Sequence, residues 1–170
     1  MTELEKNAIL DFASSEITID DFYKKMPQYK NEDFIVKKYN EIIFNKDSKI
    51  LTYLRLIPLR NIKLFESIYR KLLLEDWHIE HEDIVVFFQS YFNKNIENIY
   101  ILLNALINIP TYLQEDEVTK YSYIKKIIYA IGAQPQPESL SALEDLASET
   151  GDEKIKELAL HQLKKKEKTR

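Results

Sequence analysis

Glycine is nearly missing from this chain: Gly132 and Gly151 are the only two in 170 residues. Hairpins built on two-residue turns, and the regular turn signals of a β-sandwich, draw heavily on glycine and Asn-Gly pairs. Helices are then the element left to carry the 45% of hydrophobic residues, and the spacing agrees. Apolar side chains recur every three or four positions, which sets them on one stripe of a helix. The expected fold class is all-α, built from stacked antiparallel helical hairpins.

Along the chain, Thr2 and Glu5 have the spacing of a capping box, with Leu4, Ile9 and Phe12 as the apolar face of a first short helix. Asp20 to Met26 adds a turn or two before Pro27. Residues 34–44 read as a helix with Ile35, Tyr39, Ile42 and Ile43 inward. Residues 49–57 read as another, with Ile50, Leu54 and Ile57 inward and Pro58 as its stop. Asn61 is placed to cap a helix reaching about Glu75, its stripe being Ile62, Phe65, Tyr69, Leu72 and Leu73. Ile84-Val85-Val86-Phe87-Phe88 has the composition of a strand. Its helical neighbours favour a helix to Phe92, and the acids ahead of it suit a positive helix end.

Asn95 opens the next helix, with Ile99, Leu102, Leu103 and Leu106 inward and an end before Pro110. The helix that follows, through Ile131, turns Tyr121, Ile124, Ile128 and Ile131 inward, and Gly132 is expected to be its left-handed stop. Pro137 suits a first helical position ahead of Leu140, Leu143 and Leu146, with Gly151 as the second glycine stop. Asp152 caps the last helix, which turns Ile155, Leu158, Ala159 and Leu163 inward. Residues 165–170 are expected to form a basic, frayed tail. The short connections make successive helices antiparallel neighbours. This gives one helical domain over 1–164: an N-terminal cap over 1–58, then hairpins pairing 61–75 with 82–92, 95–109 with 117–131, and 137–150 with 152–164. Their spacing is that of a short helical-hairpin solenoid.

No cysteine is present, so disulfides and thiolate metal sites are excluded. Met1-Thr2-Glu3-Leu4-Glu5-Lys6 lacks the basic flank and apolar core of a secretory signal, and a cytoplasmic protein is expected. The longest unbroken run of aliphatic and aromatic residues, Ile84 to Phe88, is far short of a membrane span, so no membrane partner is expected. Formal charge is −4. Lys164 to Arg170 carries five basic residues and one acid, which leaves 19 basic against 27 acidic groups elsewhere, a body near −8. Such a body repels phosphate backbones and attracts basic partners. Ordinary solubility charge is the competing explanation.

The last pair of helices carries a family likeness. Ile128-Tyr129-Ala130-Ile131-Gly132, then Pro137-Glu138-Ser139-Leu140-Ser141-Ala142-Leu143-Glu144-Asp145-Leu146, then Asp152-Glu153-Lys154-Ile155-Lys156-Glu157-Leu158-Ala159-Leu160 resembles a HEAT repeat. The likeness covers about forty residues and extends loosely back to Asn61. A small chain of HEAT-like hairpins rich in Ile, Lys, Asn and Tyr also resembles immunity proteins of contact-dependent and other polymorphic toxin systems. That second resemblance rests on size, residue usage and repeat type. It implies a protein that binds a cognate toxin domain, often a nuclease, and blocks its active site.

For chemistry the residues offer little. His78, Glu80, His81, Glu82 and Asp83 concentrate metal-type ligands, but the histidines are three apart across a helix start, which reads as a solvated loop with dipole-compensating acids. No nucleophile elbow accompanies His161, and no glycine-rich phosphate loop exists. No catalytic residue, cofactor, metal ion or direct nucleic-acid contact is therefore expected. A helical-repeat DNA glycosylase would need a basic concave surface with a Trp and an Asp; Trp77 beside Asp76 supplies only the pair.

The candidate partner-binding residues are aromatic and acidic. Tyr123 and Tyr129 fall off the stripe of their helix, and Trp77 sits in a charged connection; such rings anchor interfaces, although core packing is their commoner use. Asp76, Glu80, Glu82 and Asp83 form one acidic knot, and Glu115, Asp116 and Glu117 a second, both at connections leading into the second helix of a hairpin. In a solenoid these seven carboxylates would share one edge and could mimic the phosphates a basic nuclease groove receives. The same acids can serve simply to offset helix dipoles. A scaffold or adaptor for other cellular proteins is the alternative function such a solenoid could have.

Overall fold

The computed structural model describes residues 1–58 and 60–168. Among them are ten α-helices and no strand: α1 Glu3–Ala13, α2 Ile19–Lys25, α3 Glu32–Asn45, α4 Ser48–Arg55, α5 Ile62–Leu72, α6 His81–Ser90, α7 Glu97–Ile107, α8 Glu117–Ala133, α9 Glu138–Glu149 and α10 Glu153–Glu167. Two short 3-10 turns lie at Pro27–Lys30 and Thr111–Leu113. None of these helices is long and apolar enough to cross a membrane. Contacts group the chain into two compact units. The first holds Met1–Ile68 and Trp77–Glu80, and the second Tyr69–Asp76 and His81 onward. The division falls within α5 and its following connection, inside the span read from sequence as the first hairpin.

Local rules explain where helices begin. Thr2 makes the capping box with Glu5, accepting from the Glu5 N–H while the Glu5 carboxylate accepts from the Thr2 N–H at 2.7 Å. Asn61 accepts from the Leu64 N–H at 3.3 Å, and Asp152 accepts from the N–H groups of Lys154 and Ile155. Asn31, Asp47 and Asp116 do the same for α3, α4 and α8. The strand-like run Ile84 to Phe88 is helical within α6.

The glycine stops are a correction. Neither glycine has a positive φ; the left-handed positions are Ser15 (63°) and Lys46 (52°). Gly132 lies inside α8, where a Cβ would come 2.6 Å from Gln162 Oε1, so the missing side chain makes room for a neighbouring helix. The tail is also more ordered than expected, because α10 continues to Glu167 and Lys166 Nζ donates to the Gln134 carbonyl at 2.6 Å. Thr169 and Arg170 lie outside the described residues. Leu4 is 70% exposed; of the expected inward face of α1, Ile9 is buried beside Ala8 and Phe12 meets Phe22, so only Leu4 is corrected.

In the first unit, α1 packs on α2 and α4, and α3 on α4. Its core is aromatic: Phe22 lies 5.5 Å from Phe12 and 5.9 Å from Tyr29 between ring centroids, and Tyr39 meets Phe65 edge-on at 5.7 Å. Tyr29 Oη donates to Glu5 Oε1 at 3.1 Å, and burial, then the Glu5 charge, push its hydroxyl above the ordinary tyrosine range.

The second unit has a clear register. Glu82 pairs with Lys126 at 3.0 Å near the start of α6, and Gln134 Nε2 donates to the Phe88 carbonyl at 2.8 Å near its end, so α6 and α8 run the same way. Tyr121 bonds Asp152 at 2.5 Å, Tyr129 stacks with His161 at 6.1 Å, and Gln134 receives Lys166, so α8 and α10 also run the same way. Helix α7 lies beside α8 and α9, and α9 packs along α10.

Candidate functional site

Within the second unit, residues 74–76 after α5 are fastened to the α7–α8 connection. The Asp76 carboxylate accepts from the Thr111 N–H at 3.1 Å and from the Thr111 hydroxyl at 2.9 Å. His81, fully buried, contacts the Glu75 carbonyl through Nε2 at 2.6 Å and the Tyr112 hydroxyl through Nδ1 at 3.2 Å. A carbonyl can only accept, so Nε2 carries a proton. Between the connections lies a depression of about 290 Å³, lined by Leu74, Asp76, His81, Ile107, Pro110 and Gln114. At its lip Ile107 is 81% exposed and Leu74 40%. Tyr100 is 55% exposed and lies seven residues before Ile107, so both project from one outward stripe of α7.

The expected acidic edge is only partly there. Glu80 is 5% exposed and belongs to the first unit, where one carboxylate oxygen meets the Arg55 guanidinium and the other accepts from the Thr52 hydroxyl at 2.6 Å. It is a correction: this carboxylate is engaged inside the protein and offers no surface charge. Asp76 holds Thr111, and Asp116 caps α8 through the Thr119 N–H at 2.9 Å. That Thr119 contact holds the Asp116 carboxyl below its ordinary range. Glu82 pairs with Lys126, and Glu117 with Lys154 at 3.6 Å. Asp83 and Glu115 are exposed.

The aromatic candidates divide as well. Tyr123 is fully buried, a second correction: its hydroxyl is pushed up chiefly by desolvation, and its ring sits 6.4 Å from that of His81. It is off the stripe read from sequence because α8 is covered on more than one side, by α6, α7, α9 and α10. Tyr129 is half-buried against His161, with Lys125 5.6 Å over its ring. Trp77 belongs to the first unit, is half-buried and meets His78 edge-on at 4.9 Å. His78 and His81 are 1% and 0% exposed, so the solvated loop expected around them is a packed connection. Among the described residues no group of three or more His, Asp or Glu side chains is placed to hold a metal ion.

Sequence reasoning missed Tyr100, Ile107 and Leu74. The signal was available in α7, Glu-Asn-Ile-Tyr-Ile-Leu-Leu-Asn-Ala-Leu-Ile, which is apolar around more of its circumference than one core stripe can use. No protein-family model matches the chain, and comparison with curated proteins and with solved structures finds no match to it.

Proposed function

We propose that this chain is a binding protein that docks a protein partner on the seam between residues 74–76 and the α7–α8 connection of the second unit. The partner we infer is a basic, nuclease-type toxin domain whose active site the chain occludes, as an immunity protein does. The observation that carries the binding role is the combination at one place of Ile107 and Leu74 exposed around a depression with carboxylates beside it. An apolar centre with a polar rim is the anatomy of a protein interface. The negative body adds steering of a positive partner.

The architecture read into this is a short stack of HEAT-like hairpins. Its support is the common direction of α6, α8 and α10, with α7 and α9 returning between them. The HEAT-like sequence of residues 128–160 agrees with it. In such a stack the connections of successive hairpins recur on one edge, where a partner can read several at once.

The test is co-expression with a nuclease-type toxin domain taken from a gene adjoining that of this chain. Cells carrying both should survive, and Ile107→Ser should weaken the purified complex at least tenfold, mainly through faster dissociation. Raising salt should slow association of the wild-type pair. Death of cells carrying both proteins would remove the immunity reading, and full-strength binding by Ile107→Ser would remove this docking surface.

A further inference from the structure

The end of the second unit away from the seam has an open apolar surface of its own. Pro135 turns the residue before it away from helical geometry, and Gln134 sits at φ −63° and ψ 135°, so α8 stops at Ala133. Beside that stop lies a concavity of about 710 Å³, walled by Phe92, Pro135, Pro137 and Leu140 and rimmed by Lys165 and Lys166. Phe92 is 55% exposed, and Pro135, Pro137 and Lys165 are exposed too, so the hollow opens to solvent.

Charge separates this end from the seam. Lys164, Lys165 and Lys166 occupy the closing turn of α10 and Lys168 follows, outnumbering the acids of the same stretch, Glu138 and Glu167. At the seam the signs are reversed. Asp76 lines the depression beside Ile107 and Leu74, and Glu115, Asp116 and Glu117 follow in the α7–α8 connection and the start of α8, where Lys154 offsets Glu117. The two ends lie roughly 25 Å apart, the length of the 17 residues of α8. One is an apolar projection among acids and the other an apolar hollow edged by lysines. Such a pair is complementary in form and in sign, and because the two members occupy different places on one chain, contact between them is heterologous and repeats from copy to copy.

We propose that copies of this chain associate head to tail, with Ile107 and Leu74 of one seated in the Phe92 concavity of the next and the carboxylates of the seam facing the lysines of α10. This assignment rests on the seam being a docking surface, though not on a toxin being its partner. A toxin bound at the seam would displace the second copy, so in the free protein the docking surface stays covered until a tighter partner arrives.

Sedimentation velocity of the full chain over a concentration series tests it. The wild-type sedimentation coefficient should climb with concentration and fall back at high salt, because screening removes the charge attraction. Ile107→Ser and Phe92→Ser should each sediment as monomers throughout, with thermal midpoints within about 2 °C of wild type, since both side chains are more than half exposed. An equimolar mixture of the two variants should form a dimer and nothing larger, because one supplies an intact concavity and the other an intact projection. Should Phe92→Ser misfold, Pro135→Glu, which sets a carboxylate at the mouth of the hollow, takes its place in the mixture. A wild type that is monomeric at every concentration, a mixture that stays monomeric, or a concavity variant that associates like wild type would overturn the proposal. No toxin enters these measurements, so their failure is separate from failure of the co-expression test.

Discussion

Removing Arg55 is the sharpest stability test the structure offers. The Glu80 side chain is 5% exposed and that of Arg55 23%, and the carboxylate has one oxygen on the guanidinium and the other on the Thr52 hydroxyl. Arg55→Met keeps most of the apolar stem but leaves a buried carboxylate with only a neutral hydroxyl and no cation, a change that costs about 3–5 kcal/mol. At roughly 2–4 °C per kcal/mol for a chain of this size, the midpoint should fall by at least about 6 °C. Glu80→Gln leaves the more exposed partner behind, and that guanidinium still reaches water, so a smaller loss of about 1–3 kcal/mol is expected. Thr52→Val, which removes a single neutral donor, should cost about 1 kcal/mol. Urea unfolding followed by far-UV circular dichroism and by fluorescence of the one tryptophan, Trp77, gives the order. A double-mutant cycle gives the coupling. Arg55→Met within 2 °C of wild type, or Glu80→Gln costing more than Arg55→Met, would refute the account of Glu80 as an interior ion-pair partner.

Four further outcomes are expected. Thr2→Ala, which breaks the capping box of α1, should cost about 1 kcal/mol in urea unfolding; no change would mean that this first turn frays without consequence. Gly132→Ala gains about 1 kcal/mol of helix propensity but drives a Cβ into Gln162, so the two substitutions should couple. Its cost should vanish in a Gln162→Ala background, and strict additivity would contradict the close approach. Asp152 is held below the ordinary aspartate range first by the Tyr121 hydroxyl and then by the Ile155 and Lys154 N–H groups. A depressed folded value adds stability above the ordinary range that disappears as pH falls through the folded value. Tyr121→Phe should accordingly move the Asp152 carboxyl carbon titration toward higher pH, and an unmoved midpoint would dismiss the bond. Tyr100→Ala, by contrast, should leave the thermal midpoint within about 2 °C of wild type, because half its surface is already solvated; a large loss in a scanning calorimeter would place it in the core.

Helices were readable from this sequence because their period and caps are local. Thr2, Asn61 and Asp152 announce themselves within three residues of the N–H groups they satisfy, and the Ile84 to Phe88 run is helical despite its branched side chains, as its neighbours implied. What spacing could not show is where a side chain finds a partner far along the chain. Glu80 looks like one more surface acid until Arg55, 25 residues away, is beside it. His81 looks solvated until Tyr112, 31 residues away, meets its ring. Gly132 hides its role for a related reason: a glycine near a helix end suggests a turn, whereas here α8 needs it for Gln162 of α10. In the candidate site, Asp76 and the second acidic knot do come to neighbouring connections. The apolar anchors Ile107 and Leu74, and the buried Tyr123, lie off the one stripe that a single hydrophobic period marks on a helix.

The shared direction of α6, α8 and α10 reaches beyond packing. Three parallel helices set like poles near each other, and each positive pole is met by its own acids: Glu82 and Asp83, Asp116 and Glu117, Asp152 and Glu153. Lys164, Lys165 and Lys166 answer the negative pole of the last. Reversing the sign of any of these carboxylates to map an interface would therefore also loosen the opening turn that displays it, mixing lost recognition with lost order. Glu115, which precedes the α8 cap, is outside this arrangement, and uncharged changes at Ile107 or Leu74 leave the poles untouched.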